Sequence, residues 1–269
     1  SLTMQAPAPK RAVRAAFDKA ADSYDAVASV QRAACDRLLQ LAALSCHQPG
    51  DQPAHQPARI LDAGCGTGYA LAGLHRQFPA AELLALDFAP AMLRRHPPGL
   101  ARPLCADLEH LPLAAASVDA IWSSYALQWC APGRAFPELA RCLRPGGQLW
   151  IATLGPGTLH ELRDAFRQVD DAEHVLPFQP PEAITAAIEA AGLRVIASER
   201  ATLQAWAPDL RQLLADIKTL GAHQTGAARR KPLGKSAWAR LQAAYEQHRS
   251  ANGLPASYDT FWLIAEKRP

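Results

Sequence analysis

The 269-residue chain is 49% hydrophobic and 20% charged, enough apolar material to bury one enlarged α/β domain, or a domain with a small cap. A net charge of +3 is too small to argue for nucleic acid, and no apolar run approaches the roughly 18 residues of a membrane span. The six cysteines form no CxxC pair and no His/Cys cluster at zinc-ligand spacing, so the expectation is free thiols, no metal and a reducing cytoplasm.

The chain opens with "SLTMQAPAPKRAVRAAF", which has no hydrophobic signal core. Ser1, Leu2 and Thr3 ahead of Met4 read as a cloning remnant, and residues 1–9 as a disordered start. A helical arm is expected over 10–47, followed by a loop rich in Pro, Gln and His, "HQPGDQPAHQPA". Short β-rich runs then alternate with helical stretches: "ARILDAG", "ELLALDF", "RPLCAD", "VDAIWSSY" and "GQLWIATL". Alternation of this kind predicts a doubly wound sheet, parallel for its first five strands. "LRVIASER" and "YDTFWLIAEK" are the last two strand candidates. They place the main domain at 58–205 and 256–269, with a helical insertion at 206–255 between them. Within it, "DLRQLLADIKTLGA" and "SAWARLQAAYEQH" carry apolar residues at helical spacing. Arm and insertion have no place in the sheet, so both are expected to cover the carboxyl edge of the strands, where such sheets bind ligands.

The stretch "RILDAGCGTGYALAGL" carries the first chemical signal. Gly64, Gly66 and Gly68 let the backbone bend and admit a ligand. Yet Asp62 enters the turn and no GK[ST] follows, so a phosphate clamp is not indicated. Asp87 ends the next strand 25 positions after Asp62, near the spacing of a ribose-binding acid, and Asp107 ends the third. Three carboxylates at one sheet edge repel phosphate and suit a cation that carries a nucleoside. S-adenosylmethionine is such a ligand. Asp87 is expected at the ribose hydroxyls, Asp107 at the adenine amino group and Asp62 at the cationic methionine end. The bland alternative is that these acids cap the helices that follow.

The pieces "LDAGCGTGY", "ALDFAPAML", "CADLEHLPL", "SVDAIWSSYALQWC" and "LARCLRPGGQLWIAT", from about Arg59 to Thr153, resemble the class I S-adenosylmethionine-dependent methyltransferases. The resemblance implies a Rossmann-like α/β fold whose seven-stranded, mostly parallel sheet has an antiparallel last strand. It also implies that Phe88 and Met92 border the ribose and adenine. Gly64, Cys65, Gly66, Leu108 and Ser124 complete the expected cofactor contacts.

"SSYALQWC" follows the fourth strand, beside the expected sulfonium, and contains neither His nor Asp. A carboxylate acceptor needs no base, because its pKa of about 4 leaves it ionised at neutral pH. It needs donors, which Gln128 and Trp129 can supply through amide and indole N–H groups. Trp129 as a plain core aromatic remains an alternative. The arm segment "AFDKAADSYDAVASVQRAACDRLL" resembles the arm that closes over the cofactor in a subset of these enzymes, which implies Tyr24 over the active site. Tyr24 as an anchor of the arm is the other reading. Lys19 and Arg32 are candidates for the cofactor's carboxylate.

From about Lys10 to Lys267, with "IKTLGAHQT" as the most specific piece, the chain resembles the malonyl-acyl-carrier-protein O-methyltransferase family of biotin synthesis. That resemblance implies a malonyl thioester on a carrier protein, or on coenzyme A, as acceptor. A carrier is acidic, so Arg211, Lys218, Arg229, Arg230, Lys231 and Lys235 are candidates for its docking face, or else ordinary solvated charges. A small-acid methyltransferase, such as one acting on trans-aconitate, stays open because Gln-Trp does not separate the two. An RNA methyltransferase or a non-catalytic module on the same fold is a further alternative; no membrane or nucleic-acid partner is expected.

Overall fold

In the computed structural model, residues 27–47, 56–64, 68–220 and 232–269 are described, the side chains of 219 and 220 excepted. Tyr24, Lys19, Cys65, Gly66, Arg229, Arg230 and Lys231 lie outside them, as does most of the loop rich in Pro, Gln and His.

Seven strands form one sheet: β1 (Arg59–Ala63), β2 (Glu82–Asp87), β3 (Arg102–Cys105), β4 (Val118–Ser124), β5 (Leu143–Leu154), β6 (Leu193–Ala207) and β7 (Leu254–Lys267). Their order is β3-β2-β1-β4-β5-β7-β6, with β7 antiparallel to both neighbours and the remaining pairs parallel. Each of the seven strand runs read from the sequence is present. β1 and β2 are buried almost throughout, as expected of parallel strands covered on both faces. The helices α2 (Tyr69–Gln77), α3 (Pro90–Leu93), α4 (Pro132–Cys142), α5 (His160–Arg167) and α6 (Pro181–Ala190) connect them. α3, α4 and α6 each begin on a proline, whose fixed φ suits the first helical position and which needs no backbone donor there.

The described part of the arm is helix α1 (Ala28–Cys46). It buries Val30, Ala34, Leu38, Ala42 and Cys46, a four-residue repeat that presents one stripe to the sheet. Small residues in that stripe let the helix come close: Trp262 of β7 donates its indole N–H to the Ala34 carbonyl at 3.0 Å. Arg37 grips Glu199 of β6 through Nε and Nη2 at 2.7 and 2.6 Å, and Ser45 donates to Gln148 of β5 at 2.7 Å. These fastenings set the N-terminal half of α1 against the carboxyl edge.

Pairing of β5 with β7 ends at Leu154–Thr260, whereas β6 and β7 continue together to Ala207–Leu254. The two strands therefore project past the carboxyl edge as a ribbon. It carries α7 (Leu210–Leu220) and α8 (Lys235–Glu246), the helices expected in the insertion. Leu210, Leu213, Ile217, Leu241, Ala244 and Tyr245 seat them in the core. Asp259 fastens the ribbon to the turn after β5: it accepts from Gly157 N–H at 2.9 Å and from both arms of Arg200 at 2.8 and 2.9 Å.

Candidate active site

A cavity of about 590 Å³ opens where β1, β2 and β4 end. Its floor depends on Gly64, whose φ of 83° is left-handed and whose N–H donates to the Leu86 carbonyl at 2.7 Å. A Cβ at that position would overlap Ala126 Cβ, so the turn requires glycine for space as well as for backbone angle.

Asp62, at the tip of β1, is 2% exposed and its Oδ2 has no hydrogen-bond partner among the described residues. Burial, and then the neighbouring Asp87 charge, push its pKa well above the usual carboxylate range. Asp87 ends β2, is also buried, and accepts from Ala89 N–H at 2.9 Å through one oxygen. Asp107 accepts from Glu109 N–H at 2.9 Å in the same way. Both acids bond the backbone two residues ahead, which fixes the carboxylate without the helix capping that the bland reading required: α3 has no side-chain cap. Phe88, Met92 and Leu108 line the cavity between these acids.

On the β4 side the chain makes a tight reversal. Tyr125 has φ 53°, unusual for a residue with a large side chain. Its N–H donates to the Ala152 carbonyl at 2.8 Å, and its hydroxyl shares a 2.6 Å hydrogen bond with Thr260. Burial raises its pKa, and the Thr260 bond offsets part of the rise. Gln128 holds the reversal closed, donating its amide N–H to the Tyr125 carbonyl at 2.8 Å and accepting from Thr153 at 3.4 Å. Gln128 is not among the residues that line the cavity. The short 3₁₀ turn Leu127–Trp129 results, and it sets Trp129 on the cavity wall with Phe178 edge-on at 6.3 Å.

The roof of the cavity, within the described residues, belongs to α1 through Gln31, Arg32, Cys35 and Asp36; no described residue of 206–255 lines it. The insertion rides on the projecting ribbon at the other end of the carboxyl edge, beyond β5. Cys35 donates to Ser124 Oγ at 3.5 Å, and burial pushes its thiol up to about 12, so it stays protonated. Arg32 lies over the Tyr69 ring at 5.6 Å, and Tyr69 donates to Asp36 at 3.0 Å. No histidine, glutamate or lysine is among the described residues lining the cavity.

The sequence therefore pointed to Asp62, Gly64, Asp87, Phe88, Met92, Asp107, Leu108, Ser124 and Trp129, which the fold gathers around one cavity. It missed Tyr125, whose left-handed turn carries no sequence signature beyond its place between Ser124 and Gln128. It also missed Gln31 and Cys35, for which the spacing of α1 offered the only signal, since both lie one position from its buried stripe.

This edge combines a cavity with buried acids, a turn that requires Gly64 and, on Asp62, a buried carboxylate oxygen without a hydrogen-bond partner among the described residues, which fits a cationic nucleoside better than a phosphate. The methyltransferase-domain family matches residues 61–151. Among solved structures, geranyl diphosphate methyltransferase in complex with SAM is similar in fold, with a TM-score of 0.51 at 16% identity over 87% of this chain and 84% of that one. The cyclase SpnF reaches 0.53 at 22% identity over 87% and 80% of the two chains, so the fold by itself does not name a reaction. Fold and domain match together define a class I methyltransferase.

Sequence relatives narrow the class. A malonyl-acyl-carrier protein O-methyltransferase of Dechloromonas aromatica (strain RCB) is 44% identical over 96% of this chain and 95% of that protein. Its counterpart in Herminiimonas arsenicoxydans is 40% identical over 96% of both. The biotin biosynthesis bifunctional protein BioHC of Cellvibrio japonicus is 40% identical over 97% of this chain and 51% of its own length. The chain belongs to the malonyl-acyl-carrier protein O-methyltransferase family.

Proposed function

We propose that the protein esterifies the free carboxylate of a malonyl thioester on acyl-carrier protein, with S-adenosylmethionine as methyl donor, in biotin synthesis. The observation that carries the donor half is the buried carboxylate of Asp62 beside Asp87, whose Oδ2 has no hydrogen-bond partner among the described residues, at a turn where Gly64 leaves the backbone open. The family carries the acceptor half.

Bound S-adenosylmethionine supplies an electrophilic methyl group on a cationic sulfur. Asp87 accepts from the ribose hydroxyls, Asp107 from the adenine amino group, and Asp62 meets the cationic methionine end. Phe88, Met92 and Leu108 cover the nucleoside, Gly64, Cys65 and Gly66 form the cradle, and Ser124 borders the sulfur. Arg32, which has no carboxylate within ion-pair distance among the described residues, is our choice for the cofactor's carboxylate.

The acceptor arrives ionised, so the chain need not remove a proton from it. Trp129 orients the malonyl carboxylate. Gln128 acts one step back, by closing the turn that presents Trp129. Tyr24, outside the described residues, is assigned to the cover that excludes water as opposite charges cancel. Free thiols among the described cysteines fit a reducing cytoplasm. Arg211, Lys218 and Lys235 are exposed, and Arg211 lies over the Trp238 ring of α8 at 5.4 Å, which sets α7 and α8 side by side. We assign that face, with Arg229, Arg230 and Lys231, to an acidic carrier.

Side-by-side turnover of malonyl-carrier, malonyl-coenzyme A and free small acids tests the reading. It predicts highest kcat/KM with the carrier; preference for a free acid such as trans-aconitate, or for RNA, would replace it.

A further inference from the structure

A second hollow, of about 580 Å³, lies on the other side of Trp129. Phe178 forms part of its wall and touches Trp129 edge-on, so one aromatic pair separates it from the cofactor-sized cavity. It therefore borders the face from which an acceptor must come. Helix α5 supplies Arg163, Phe166 and Arg167 to the hollow, and the segment after it supplies His174, stacked on Phe166 at 3.6 Å.

Arg163 and Arg167 stand one turn apart on one side of α5. Arg167 is neutralised by Asp164 at 2.9 Å, and Asp170 is engaged with His174 at 2.8 Å. Arg163 differs. It is half-buried, has no carboxylate within ion-pair distance among the described residues, and bonds only the Thr158 carbonyl, at 2.9 Å, through one of its five N–H groups. Burial first, then repulsion from Arg167, draw its pKa down, with Asp164 and Glu173 offsetting part of this. A half-buried guanidinium with spare donors beside a second guanidinium suits a phosphate oxygen pair. Asp171 and Glu173 also line the hollow, from the outer segment, which confines an anion to the α5 wall.

We propose that this hollow binds the phosphate of the pantetheine arm that delivers the malonyl thioester, with Arg163 as its principal ligand and Arg167 as a second. The assignment rests on the malonyl-thioester reading above. Carrier protein and coenzyme A share this chemistry, so the substrate arms of the test distinguish the two sources.

The test titrates the full chain with 4′-phosphopantetheine and with pantetheine by calorimetry, in the wild type and in Arg163→Gln. It then compares kinetics on malonyl-carrier, malonyl-coenzyme A and malonyl-pantetheine. A charge-assisted contact predicts roughly 10–100-fold tighter binding of the phosphorylated arm by the wild type. In Arg163→Gln that preference disappears and KM rises for at least one phosphate-bearing substrate, which identifies the source; kcat and KM for malonyl-pantetheine stay unchanged. No phosphate preference in the wild type, its retention in the variant, or equal losses with and without phosphate would each overturn the assignment. If the wild type turns over no malonyl thioester yet keeps its phosphate preference, the anion site stands and the substrate reading fails.

Discussion

Asp62 is the residue on which the donor side turns. As a buried acid with a raised pKa it opposes folding at neutral pH: the folded chain holds the proton more tightly than the unfolded one, so stability is lost as pH rises above the ordinary carboxylate value. Asp62→Asn should therefore raise the melting temperature of the ligand-free protein, by more at pH 8 than at pH 5, while weakening donor binding. In the wild type, a cationic ligand should drive proton release from Asp62. Affinity should then rise with pH through the raised pKa, and calorimetry in buffers of different ionisation enthalpy would detect the released proton. A pH-independent affinity with no proton release would refute this role. Asp87 carries a separate prediction. Asp87→Ala removes an acceptor aimed at two hydroxyls and should cost roughly 10–100-fold in donor affinity; unchanged binding isotherms would exclude the ribose contact. Asp62 and Asp87 were legible in the sequence because a strand end followed by a helix reveals where a side chain emerges; Asp107 was legible from its place at the end of the third apolar run, although no helix follows it. Arg163 was not legible, because its lack of a counter-ion depends on partners that only the fold selects.

Two elements place these residues, and they differ in how far sequence foretold them. The seven strands were readable from apolar runs between turn signals; the antiparallel direction of β7 came from the family resemblance. The extension of β6 and β7 into a ribbon was not, since β6 alternates exposed residues along its length and reads as an ordinary short strand near its start. That ribbon is why the insertion sits away from the cofactor-sized cavity and leaves the described roof to α1. Asp259 is its fastening. Burial disfavours the charged carboxylate, but Arg200 and the Gly157 N–H outweigh it and hold the pKa below the ordinary value. Its stabilisation is present above the ordinary carboxylate pKa and is lost as pH falls through the depressed one. Asp259→Asn should thus lower stability by about 1–3 kcal/mol at neutral pH in denaturant titration, with a smaller difference in acid. The Tyr125 turn makes a second element-scale prediction: Tyr125→Phe loses the Thr260 bond and should cost about 1 kcal/mol of stability. Methyl transfer should fall in kcat rather than in donor affinity, because the turn presents Trp129 and touches the nucleoside less.

For the whole molecule, a net charge of +3 conceals an uneven distribution. Asp62 and Asp87 are buried inside the cavity, whose exposed lining also carries Arg32, Arg76 and Arg95, while Arg211, Lys218 and Lys235 are exposed on the paired helices α7 and α8. Composition could not show that division; the Arg211–Trp238 contact brings the two helices together. If this face receives an acidic carrier, KM for the carrier-bound substrate should rise with ionic strength and in the double variant Arg211→Glu/Lys218→Glu, with kcat retained. KM for malonyl-coenzyme A should move far less, and equal changes for both substrates would remove the docking face. Among the described residues no helix is long and apolar enough to cross a membrane. The central claim joins the two halves of the molecule: an acid-lined edge holds the cationic donor while the acceptor enters as a carboxylate. Mass spectrometry of malonyl-carrier after incubation with enzyme and isotopically labelled S-adenosylmethionine tests it most directly. A single base-labile methyl ester on the malonyl group is the predicted product; label on another atom of the carrier, or none on the carrier and label on a free acid, would contradict it.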